Sequence, residues 1–219
     1  MNKILVLSPH PDDETLGCGG TLIKYKKKGW KIDIIFFTKM TTCLYSKKEI
    51  IRRNIEISKI SKLYKFNKIY NFDYPTTSLS QIPDYELISK INNVLKKSKP
   101  NIVFYPCEYD IHSDHNKVSR CFLSNVKSFR FDFIQKVYSY EILSETNLNF
   151  KYSFKPNHFE NISNEIRTKI KILKIFKSEI KKHPFPRSID SVISLAKLRG
   201  SQSSFMFAES FETYFSKNT

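Results

Sequence analysis

Runs of consecutive apolar residues alternate along this chain with segments in which apolar residues recur at helical spacing. The runs are rich in strand-forming residues and predict buried strands at 3–7, 31–38, 68–72 and 101–106, with a later strand within 132–143. The other periodic segments predict helices at 21–29, 46–65, 84–98, 164–182 and 188–200. Strands that alternate with helices form βαβ units, so the pattern predicts an α/β fold with a parallel sheet.

Two loops and two helices in this pattern carry specific expectations. Residues 8–20 and 106–116 should be loops at the carboxyl ends of the first and fourth strands. In helix 46–65 the apolar residues should lie largely on one face: Ile50, Ile51, Ile55, Ile57, Ile60 and Leu63. Gly200 should stop the last helix.

The composition is that of one globular domain with an unusual charge. A length of 219 residues fits a single domain over 1–219. The formal net charge is +16, from 37 basic and 21 acidic residues. The lysines are scattered in small clusters instead of being concentrated with aromatic residues on one element, so we expect no nucleic-acid partner. Such a surface should instead attract anionic substrates or, peripherally, anionic lipid headgroups.

The cysteines and the apolar runs indicate a reducing compartment. Cys18, Cys43, Cys107 and Cys121 show no C-x-x-C spacing and no close pairing, so we expect reduced thiols. The apolar stretch after Lys3 is too short for the core of a signal peptide, and no run approaches the length of a membrane span. We therefore expect a cytoplasmic protein.

The residues best suited to chemistry are concentrated in the two strand-end loops. These loops contain three of the five histidines together with several carboxylates: His10, Asp12, Asp13, His112, Asp114 and His115. The carboxyl ends of parallel strands meet at one edge of a sheet, which brings the two loops together. Two histidine nitrogens and one carboxylate are a common ligand set for a catalytic zinc, which lowers the pKa of water to about 7. A further aspartate would then serve as the general base.

Each motif alone also fits a purely structural role. Asp12 or Asp13 could cap the following helix, and Glu14 would stabilise its positive end. The "HSDH" motif could begin a helix with Ser113 or Asp114 as the cap. A metal site is favoured because both clusters fall at strand ends of one sheet. The "GCGG" segment lacks the spacing of the dinucleotide fingerprint, so we expect no dinucleotide.

The sequences "SPHPDDETLGCGG" and "DIHSDH" resemble, in content, order and separation, the paired motifs of the zinc-dependent de-N-acetylases of the PIG-L/LmbE family. The resemblance covers most of the chain. "RRNIEISKISKLY" is similar to the Arg/Glu-bearing helix of the family, "NFDYPTTSL" to its Asp-bearing loop, and "HPFPRSIDSVISLAKLRGSQSSFMFAESFE" to its carboxyl-terminal segment. The resemblance implies a Rossmann-like three-layer sandwich with a mostly parallel sheet. It also implies hydrolysis of an acetamide on an amino sugar or its conjugate.

The resemblance also implies a role for each motif residue. Three residues would bind Zn²⁺: His10, Asp13 and His115. Asp12 would be the general base, and His112 would stabilise the oxyanion or protonate the leaving amine, with Asp114 orienting it. The sequence leaves open whether Asp12 or His112 protonates the amine. Glu14 has no place in this reaction, and we expect it to support the loop at the start of the following helix.

The substrate contacts are less well defined. The resemblance places Arg53 and Asp73 near the substrate, but Arg53 also fits an exposed arginine paired with Glu56 across one helical turn. We expect a structural role for Arg199 near a helix end. Several aromatic residues could form a sugar platform, although most should lie in the core: Tyr138, Tyr140, Phe150, Tyr152 and Phe154.

Two alternatives to an amino-sugar deacetylase remain at this point. The first is a metal-dependent hydrolase of another N-acyl group or of a phosphoester, since loops rich in carboxylates also suit Mg²⁺. The second is a noncatalytic basic module that binds nucleic acid or an anionic membrane, which would bind polyanions in a salt-sensitive manner.

Overall fold

The apolar runs of the sequence fold as strands of one seven-stranded sheet. A computed structural model describes residues 2–127 and 129–217. Its strands are β1 (Lys3–Ser8), β2 (Lys31–Lys39), β3 (Lys68–Pro75), β4 (Ile102–Pro106), β5 (Lys136–Tyr140), β6 (His158–Asn161) and β7 (Ala208–Ser216). Their order across the sheet is β3-β2-β1-β4-β5-β7-β6. The first five strands pair in parallel, and β7 runs antiparallel to both β5 and β6.

Successive residues of the buried strands pack into separate cores on the two faces of the sheet. In β1, Ile4 and Val6 belong to one core, while Leu5 and Leu7 belong to the other. The helices that contribute to the first core are α1 (Asp13–Lys27), α2 (Lys47–Tyr64), α5 (Ile166–Leu173) and α6 (Ile189–Ser201). Those that contribute to the second core are α3 (Asp84–Ser98) and α4 (Ser113–Leu123). The expectation of a three-layer α/β sandwich with a mostly parallel sheet is therefore confirmed.

Helix α1 begins inside the segment that the sequence predicts as a loop. It begins at Asp13 and is interrupted at Cys18, where the backbone leaves helical geometry at φ −137°. The amides of Gly20 and Thr21 donate instead to the carboxylate of Glu209 in β7, at 2.8 and 2.7 Å. Glu209 thus occupies the place of a capping group for the second half of the helix. The carboxyl-terminal strand therefore helps to fix the helix whose first turn carries the acidic motif.

Helix α2 buries a different face from the one that its isoleucines predict. Its buried residues are Arg53, Glu56, Ile60 and Tyr64. Ile57 and Ile60 pack in the first core as predicted. Ile51, Ile55 and Leu63 are 61%, 50% and 57% exposed, so the prediction was wrong for these three residues. The polar side chains can be buried because loops around the sheet edge supply hydrogen-bond partners for them.

The carboxyl-terminal third departs most from the sequence-based expectations. The helix predicted at 164–182 is much shorter (Ile166–Leu173), and strands β6 and β7 were not predicted. Gly200 lies inside α6 instead of ending it, and a Cβ there would approach the Phe205 carbonyl oxygen to 2.5 Å. The structural role predicted for Arg199 is confirmed, since its guanidinium donates to the Glu141 carboxylate at 2.7 and 2.6 Å.

The thiols and aromatic rings also follow most of the expectations. All four cysteines are free, and only Cys43 is exposed. Tyr138 and Tyr140 are buried in the core, so neither can form an exposed sugar platform. Among the described helices, none combines the length and apolar character needed to cross a membrane.

Candidate active site

The two predicted loops meet beside β1, at the point where the strand order reverses direction. β1 pairs with β2 on one side and with β4 on the other. The segment after β1 carries His10 to Asp13, and the segment after β4 carries Asp110 to His115. Ligand sites of open parallel sheets lie in the crevice at such a reversal, outside the carboxyl ends of the strands. The predicted convergence of the two loops is therefore present in the fold.

Three potential ligand atoms converge on one point between these loops. His10 Nδ1 lies 3.3 Å from Asp13 Oδ2. His115 Nε2 lies 3.2 Å from the same carboxylate oxygen and 3.2 Å from His10 Nδ1. Donors that bind one tetrahedral zinc at its usual bond lengths lie about 3.3 Å apart. The spacing and the chemistry of this set therefore fit a zinc ion bound by two imidazoles and one carboxylate.

Two buried carboxylates fix the imidazole rings of this set. Asp114 Oδ2 lies 2.9 Å from His10 Nε2, and Asp110 Oδ2 lies 2.8 Å from His115 Nδ1. Each ring thus uses one nitrogen for a carboxylate and turns the other towards the common point, an arrangement typical of metal-binding histidines. The Asp114 carboxylate is engaged by His10, whereas the Asp114 backbone amide contacts His112 Nδ1, so a role of Asp114 in orienting His112 stays a prediction. Asp110 was not singled out from the sequence, although it lies in the same strand-end loop.

His112 completes a cluster of three histidines but differs from the other two. One nitrogen from each of His10, His112 and His115 lies within 4.8 Å of the others, which makes this trio an alternative ligand set. However, His112 Nδ1 accepts a hydrogen bond from the backbone amide of Asp114 at 3.1 Å. Burial and the two neighbouring histidines lower the pKa of His112 to about 4, so the ring is neutral at pH 7. The one proton of the ring then lies on Nε2, which makes that atom a donor and favours Asp13 as the third ligand.

The protonation states of Asp13 and His10 also suit the binding of a cation. Burial alone would raise the pKa of Asp13, but the charges and hydrogen bonds of His115 and His10 hold it well below its usual range. Burial opposes the charged form of His10, yet its bonds to Asp114 and Asp13 raise its pKa to about 9. A metal ion would therefore displace protons from these rings when it binds. We call the four residues His10, Asp13, His112 and His115 the histidine cluster.

Asp12 lies beside the cluster in a strained backbone conformation. Its φ of 143° is a region that residues with a side chain rarely adopt, and the side chain makes no capping hydrogen bond. The preceding carbonyl, that of Pro11, accepts a hydrogen bond from Arg53 at 2.8 Å. Burial and the charge of Asp13 raise the pKa of Asp12 well above its usual range. The capping role is therefore excluded for this side chain, which instead lines the cavity described below.

Glu14 supports the loop, as the sequence predicts. Its carboxylate accepts from the Asp12 amide at 3.0 Å and from the Thr15 hydroxyl at 2.7 Å, and it lies 3.0 Å from the Ser8 hydroxyl. It is fully buried, and burial raises its pKa to about 7. The strained turn at Asp12 is thus stabilised by the acidic residue that follows the two aspartates.

A cavity of about 210 Å³ opens over the histidine cluster. One wall comes from Lys39 at the end of β2, from Tyr45 in the segment after β2 and from Thr77 in the segment after β3. The opposite wall contains residues that sequence reasoning missed: Glu145, Glu179 and Arg187. Arg187 Nη1 lies 3.8 Å from Asp12 Oδ2. Arg187 was contained in the family-like carboxyl-terminal segment, but no chemical pattern marked it there.

The two predicted substrate-binding residues have different positions. Arg53 is 6% exposed and lines the cavity, so its predicted exposure was wrong. Its predicted pairing with Glu56 is confirmed, since Arg53 Nε lies 3.5 Å from Glu56 Oε2. Its guanidinium also donates to Ser178 and Glu179, which connect α2 to the opposite wall. Asp73 lies at the surface, 3.6 Å from Lys39, and does not line the cavity. A substrate contact by either residue stays a prediction.

The fold and the site together define an α/β protein with a histidine–carboxylate centre suited to a divalent metal. Residues 5–126 match the protein family described as "PIG-L: GlcNAc-PI de-N-acetylase". The match covers more than half of the chain, and this chain belongs to that family of de-N-acetylases. The resemblance seen in the sequence motifs is thereby confirmed. The match includes both motifs, whereas Glu145, Glu179 and Arg187 lie beyond it.

Individual relatives carry the similarity further along the chain. A diacetylchitobiose deacetylase of Thermococcus kodakarensis is 26% identical over 225 residues, which are 95% of this chain and 82% of that protein. The solved N,N′-diacetylchitobiose deacetylase of Pyrococcus horikoshii, bound to an inhibitor, superposes with a TM-score of 0.76 at 21% identity, covering 97% and 83% of the two chains. A 4-carboxy-2-hydroxymuconate hydratase of Pseudomonas putida superposes with a TM-score of 0.75 at 15% identity, covering 100% and 98%. These two solved structures show the shared fold alone.

Proposed function

We propose that the protein is a zinc-dependent hydrolase that removes the acetyl group from an N-acetylated amino sugar or its conjugate. The observation that carries the proposal is the triangle of His10 Nδ1, Asp13 Oδ2 and His115 Nε2, with sides of 3.2 to 3.3 Å. These three residues would hold the ion. When bound, zinc would supply an electrophile for the acetamide oxygen and lower the pKa of water to about 7. The cytoplasmic location expected from the sequence is part of this proposal.

Asp12 is assigned as the general base. It lines the cavity next to a ligand residue, and the strained turn directs its side chain away from the helix start that it would otherwise cap. The carboxylate would accept the proton of the attacking water while that water adds to the acetamide carbon. Arg187 and Arg53 place positive charge near this carboxylate, which counteracts the effect of burial on its ionised form.

His112 is assigned as the donor to the oxygen on which negative charge develops. Its Nδ1 is engaged by the Asp114 amide, so the Nε2 proton is available on the cavity side of the ring. A preorganised donor of this kind stabilises a tetrahedral intermediate. A neutral imidazole is a poor acid, and we therefore assign the return of the proton to the leaving nitrogen to Asp12. The carbon–nitrogen bond then breaks, giving acetate and a free amine.

The substrate class rests on the relatives and on the shape of the cavity. Family members named as diacetylchitobiose deacetylases support an N-acetyl amino sugar. A cavity of about 210 Å³ leaves room for a small group at the histidine cluster. We propose that Arg53 contacts the substrate from the cavity wall and that Asp73 does so with Lys39 at its rim.

Replacement of the base tests the mechanism. We expect Asp12→Asn to retain zinc but to lower kcat for acetate release from N,N′-diacetylchitobiose by about 100- to 10,000-fold, because the general base is removed. Zinc content is measured by elemental analysis and acetate by an enzymatic assay. The control is Asp132→Asn, which removes an exposed carboxylate outside the site.

Three outcomes contradict the proposal. Undiminished turnover in Asp12→Asn would show that Asp12 is not the general base. Full activity of a protein stripped of metal by a chelator would show that the reaction needs no metal. A hydratase shares this fold, so the fold alone does not fix the reaction. Failure of the wild-type protein to release acetate from any N-acetyl amino sugar would therefore contradict the proposed deacetylation.

A further inference from the structure

The carboxylate of Glu145 lines the active-site cavity and has no role in the proposed reaction. Within the described residues it accepts one hydrogen bond, from the hydroxyl of the neighbouring Ser144 at 3.0 Å. No basic group of those residues lies within ion-pair distance of it, although three line the same cavity: Lys39, Arg53 and Arg187. One oxygen of this carboxylate is therefore available to a ligand.

Other carboxylates that are withdrawn from solvent are better satisfied. In the part of the chain that the structure describes, each of them has an ion pair or accepts at least two hydrogen bonds. Glu14 accepts three, and Glu212 accepts from the Tyr152 hydroxyl and the Lys155 amide at 2.5 and 2.6 Å. Because polar groups withdrawn from water are normally paired, the spare oxygen of Glu145 sets it apart as a ligand-binding candidate.

The turn after β5 fixes Glu145 beside the histidine cluster. Ser144, the residue before it, has a φ of 79°, which residues with a side chain rarely adopt. The hydroxyl of Thr146, the residue after it, donates to the Asp110 carboxylate at 2.5 Å, and the other oxygen of that carboxylate holds His115. Burial raises the pKa of the Glu145 carboxyl, and the nearby charge of His115 opposes this rise. The carboxylate is thus held near the reacting groups.

The cavity does not share the positive surplus of the whole chain, whose formal net charge is +16. Four acidic residues line it together with three lysine and arginine residues, beside the histidines. The acidic residues are Asp12, Asp13, Glu145 and Glu179, and the basic residues are Lys39, Arg53 and Arg187. Since charges of both signs line the walls, a neutral group that donates and accepts hydrogen bonds suits them better than a charged group of either sign.

We propose that Glu145 binds the substrate by accepting a hydrogen bond from a hydroxyl of the sugar ring that carries the acetamide. Sugar hydroxyls are neutral, and a hydrogen bond to a carboxylate is stronger than one between two neutral groups. The contact selects a sugar over an acetamide that has no hydroxyls. Glu145 lies beyond residues 5–126, so the contact is not part of the two motifs of the family match. The inference rests on the proposed function, because its ligand is the sugar of that reaction.

Two ring-shaped acetamides test the contact. N-acetylglucosamine carries hydroxyls on its ring, whereas N-cyclohexylacetamide has none, and acetate release is measured for both. We expect Glu145→Ala to raise KM for the sugar by about 10-fold or more with kcat unchanged, because a charge-assisted hydrogen bond to the bound substrate is lost. The KM for N-cyclohexylacetamide should equal that of the wild type.

Two further variants make the result specific. Glu145→Gln keeps a neutral acceptor oxygen and should give a KM for the sugar between those of the wild type and Glu145→Ala. Glu108→Ala is the matched control, since it removes an exposed carboxylate of the neighbouring strand-end loop that does not line the cavity. Its KM values should equal those of the wild type for both acetamides.

Three results overturn the contact. An equal rise in KM for both acetamides would mean that Glu145 shapes the cavity without binding a hydroxyl. A lower kcat at unchanged KM would place Glu145 in the chemical step. Weaker zinc binding by Glu145→Ala, measured by competition with a chelator, would make Glu145 a support of the metal.

Direct binding separates this inference from the proposed function. N-acetylglucosamine is titrated by NMR into the metal-free wild type and the metal-free Glu145→Ala variant, and we expect about 10-fold weaker binding by the variant. Such weakening in a protein that releases no acetate supports the contact and contradicts the proposed function. Acetate release by the wild type, with equal binding and equal KM in the two proteins, overturns the contact and leaves the proposed function intact.

Discussion

Two clusters of buried charge contact helix α1, and they differ in how their polar atoms are satisfied. The histidine cluster lies at the first turn, and the Lys169–Glu209 pair lies at the kink. Burial does not distinguish them, since Asp13 is 3% exposed and Glu209 is 5% exposed. In the pair, both carboxylate oxygens accept backbone amides, and Lys169 donates to Glu209 and to the Leu16 carbonyl, each at 2.7 Å. The Glu209 carboxylate is matched by the Lys169 ammonium group, and each carboxylate oxygen accepts a hydrogen bond.

The histidine cluster has the opposite arrangement. His10 Nδ1 and His115 Nε2 face each other at 3.2 Å. Carboxylates behind the rings hold both nitrogens at this point. The Asp13 carboxylate beside them is balanced by protons on the rings, and a bound metal ion can take the place of those protons. Convergence of ligand atoms, more than burial or charge, therefore separates a functional cluster from a structural one.

The largest expected effect comes from breaking the structural pair. Lys169→Met should lower the free energy of unfolding by about 3 kcal/mol, because it leaves the Glu209 carboxylate buried without its counterion. Chemical denaturation at neutral pH measures the change. Lys171→Met is the matched control: it removes an exposed lysine from the same helix and should change stability by less than about 0.5 kcal/mol.

The comparison predicts that the Lys169→Met variant keeps its metal affinity. A Lys169→Met variant whose folded fraction binds zinc more weakly, with an unchanged free energy of unfolding, would show that the Lys169–Glu209 pair acts on the histidine cluster. Partial recovery of stability in a Lys169→Met and Glu209→Gln double variant would show that the lost counterion, and not lost packing, causes the destabilisation.

The amino-terminal half of the fold was accessible from the sequence because its signals are local. Helix α3 spans Asp84–Ser98 as predicted, and β1, β2 and β4 differ from their predicted ranges by one residue at one end. Both motifs follow these strands directly, so the strand prediction was enough to bring them to one edge. Periodicity alone could not show that α2 buries Arg53, because that burial depends on partners in Ser178 and Glu179 far along the chain.

The carboxyl-terminal half depends on long-range contacts that leave no local pattern. Glu209 caps the kink of α1 from 189 residues away, and nothing around Gly20 indicates that its amide will be free. Arg187 reaches the site through the irregular segment between α5 and α6, and it lies between the two helices that the sequence predicts at 164–182 and 188–200. Asp110 could have been found as a carboxylate in the second loop. Its role required the orientation of the His115 ring.

A smaller effect is expected from the carboxylate that holds the His10 ring of the histidine cluster. Asp114→Asn should weaken zinc binding by about 10- to 100-fold, because Asp114 holds the His10 ring through a 2.9 Å contact. Competition with a zinc chelator of known affinity measures the change. A role of Asp114 confined to His112 would instead lower kcat and leave zinc affinity unchanged.

Asp73→Asn provides the control for this measurement. It removes a carboxylate at the surface beside Lys39, so zinc affinity should equal that of the wild type. If Asp73 contacts the substrate as proposed, the Asp73→Asn variant should have a higher KM than the wild type and the same zinc affinity. Equal zinc affinities for the Asp114 and Asp73 variants would contradict the role assigned to Asp114.

The smallest effect concerns a second structural carboxylate that fastens α1. Glu160 in β6 accepts from Lys24 at 2.6 Å and from Tyr25 at 2.8 Å. Burial opposes its ionised form, but hydrogen bonds from His158, Lys24 and Tyr25 lower its pKa to about 2. Because this folded-state pKa lies below the ordinary value of 4.5, the stabilisation is fully present above pH 4.5 and is lost as the pH falls towards 2.

Glu160→Gln should therefore lower the free energy of unfolding by about 1 to 2 kcal/mol at pH 7, after allowance for solvent screening of Lys24, whose side chain is 22% exposed. Urea denaturation of both proteins between pH 7 and pH 3 should show the difference shrinking below pH 4.5. A difference that stays constant with pH would mean that packing, and not charge, fastens this end of the helix. The contrast with Asp12, whose pKa is raised because burial and Asp13 oppose its charge, separates a carboxylate that holds the fold from one placed to accept a proton.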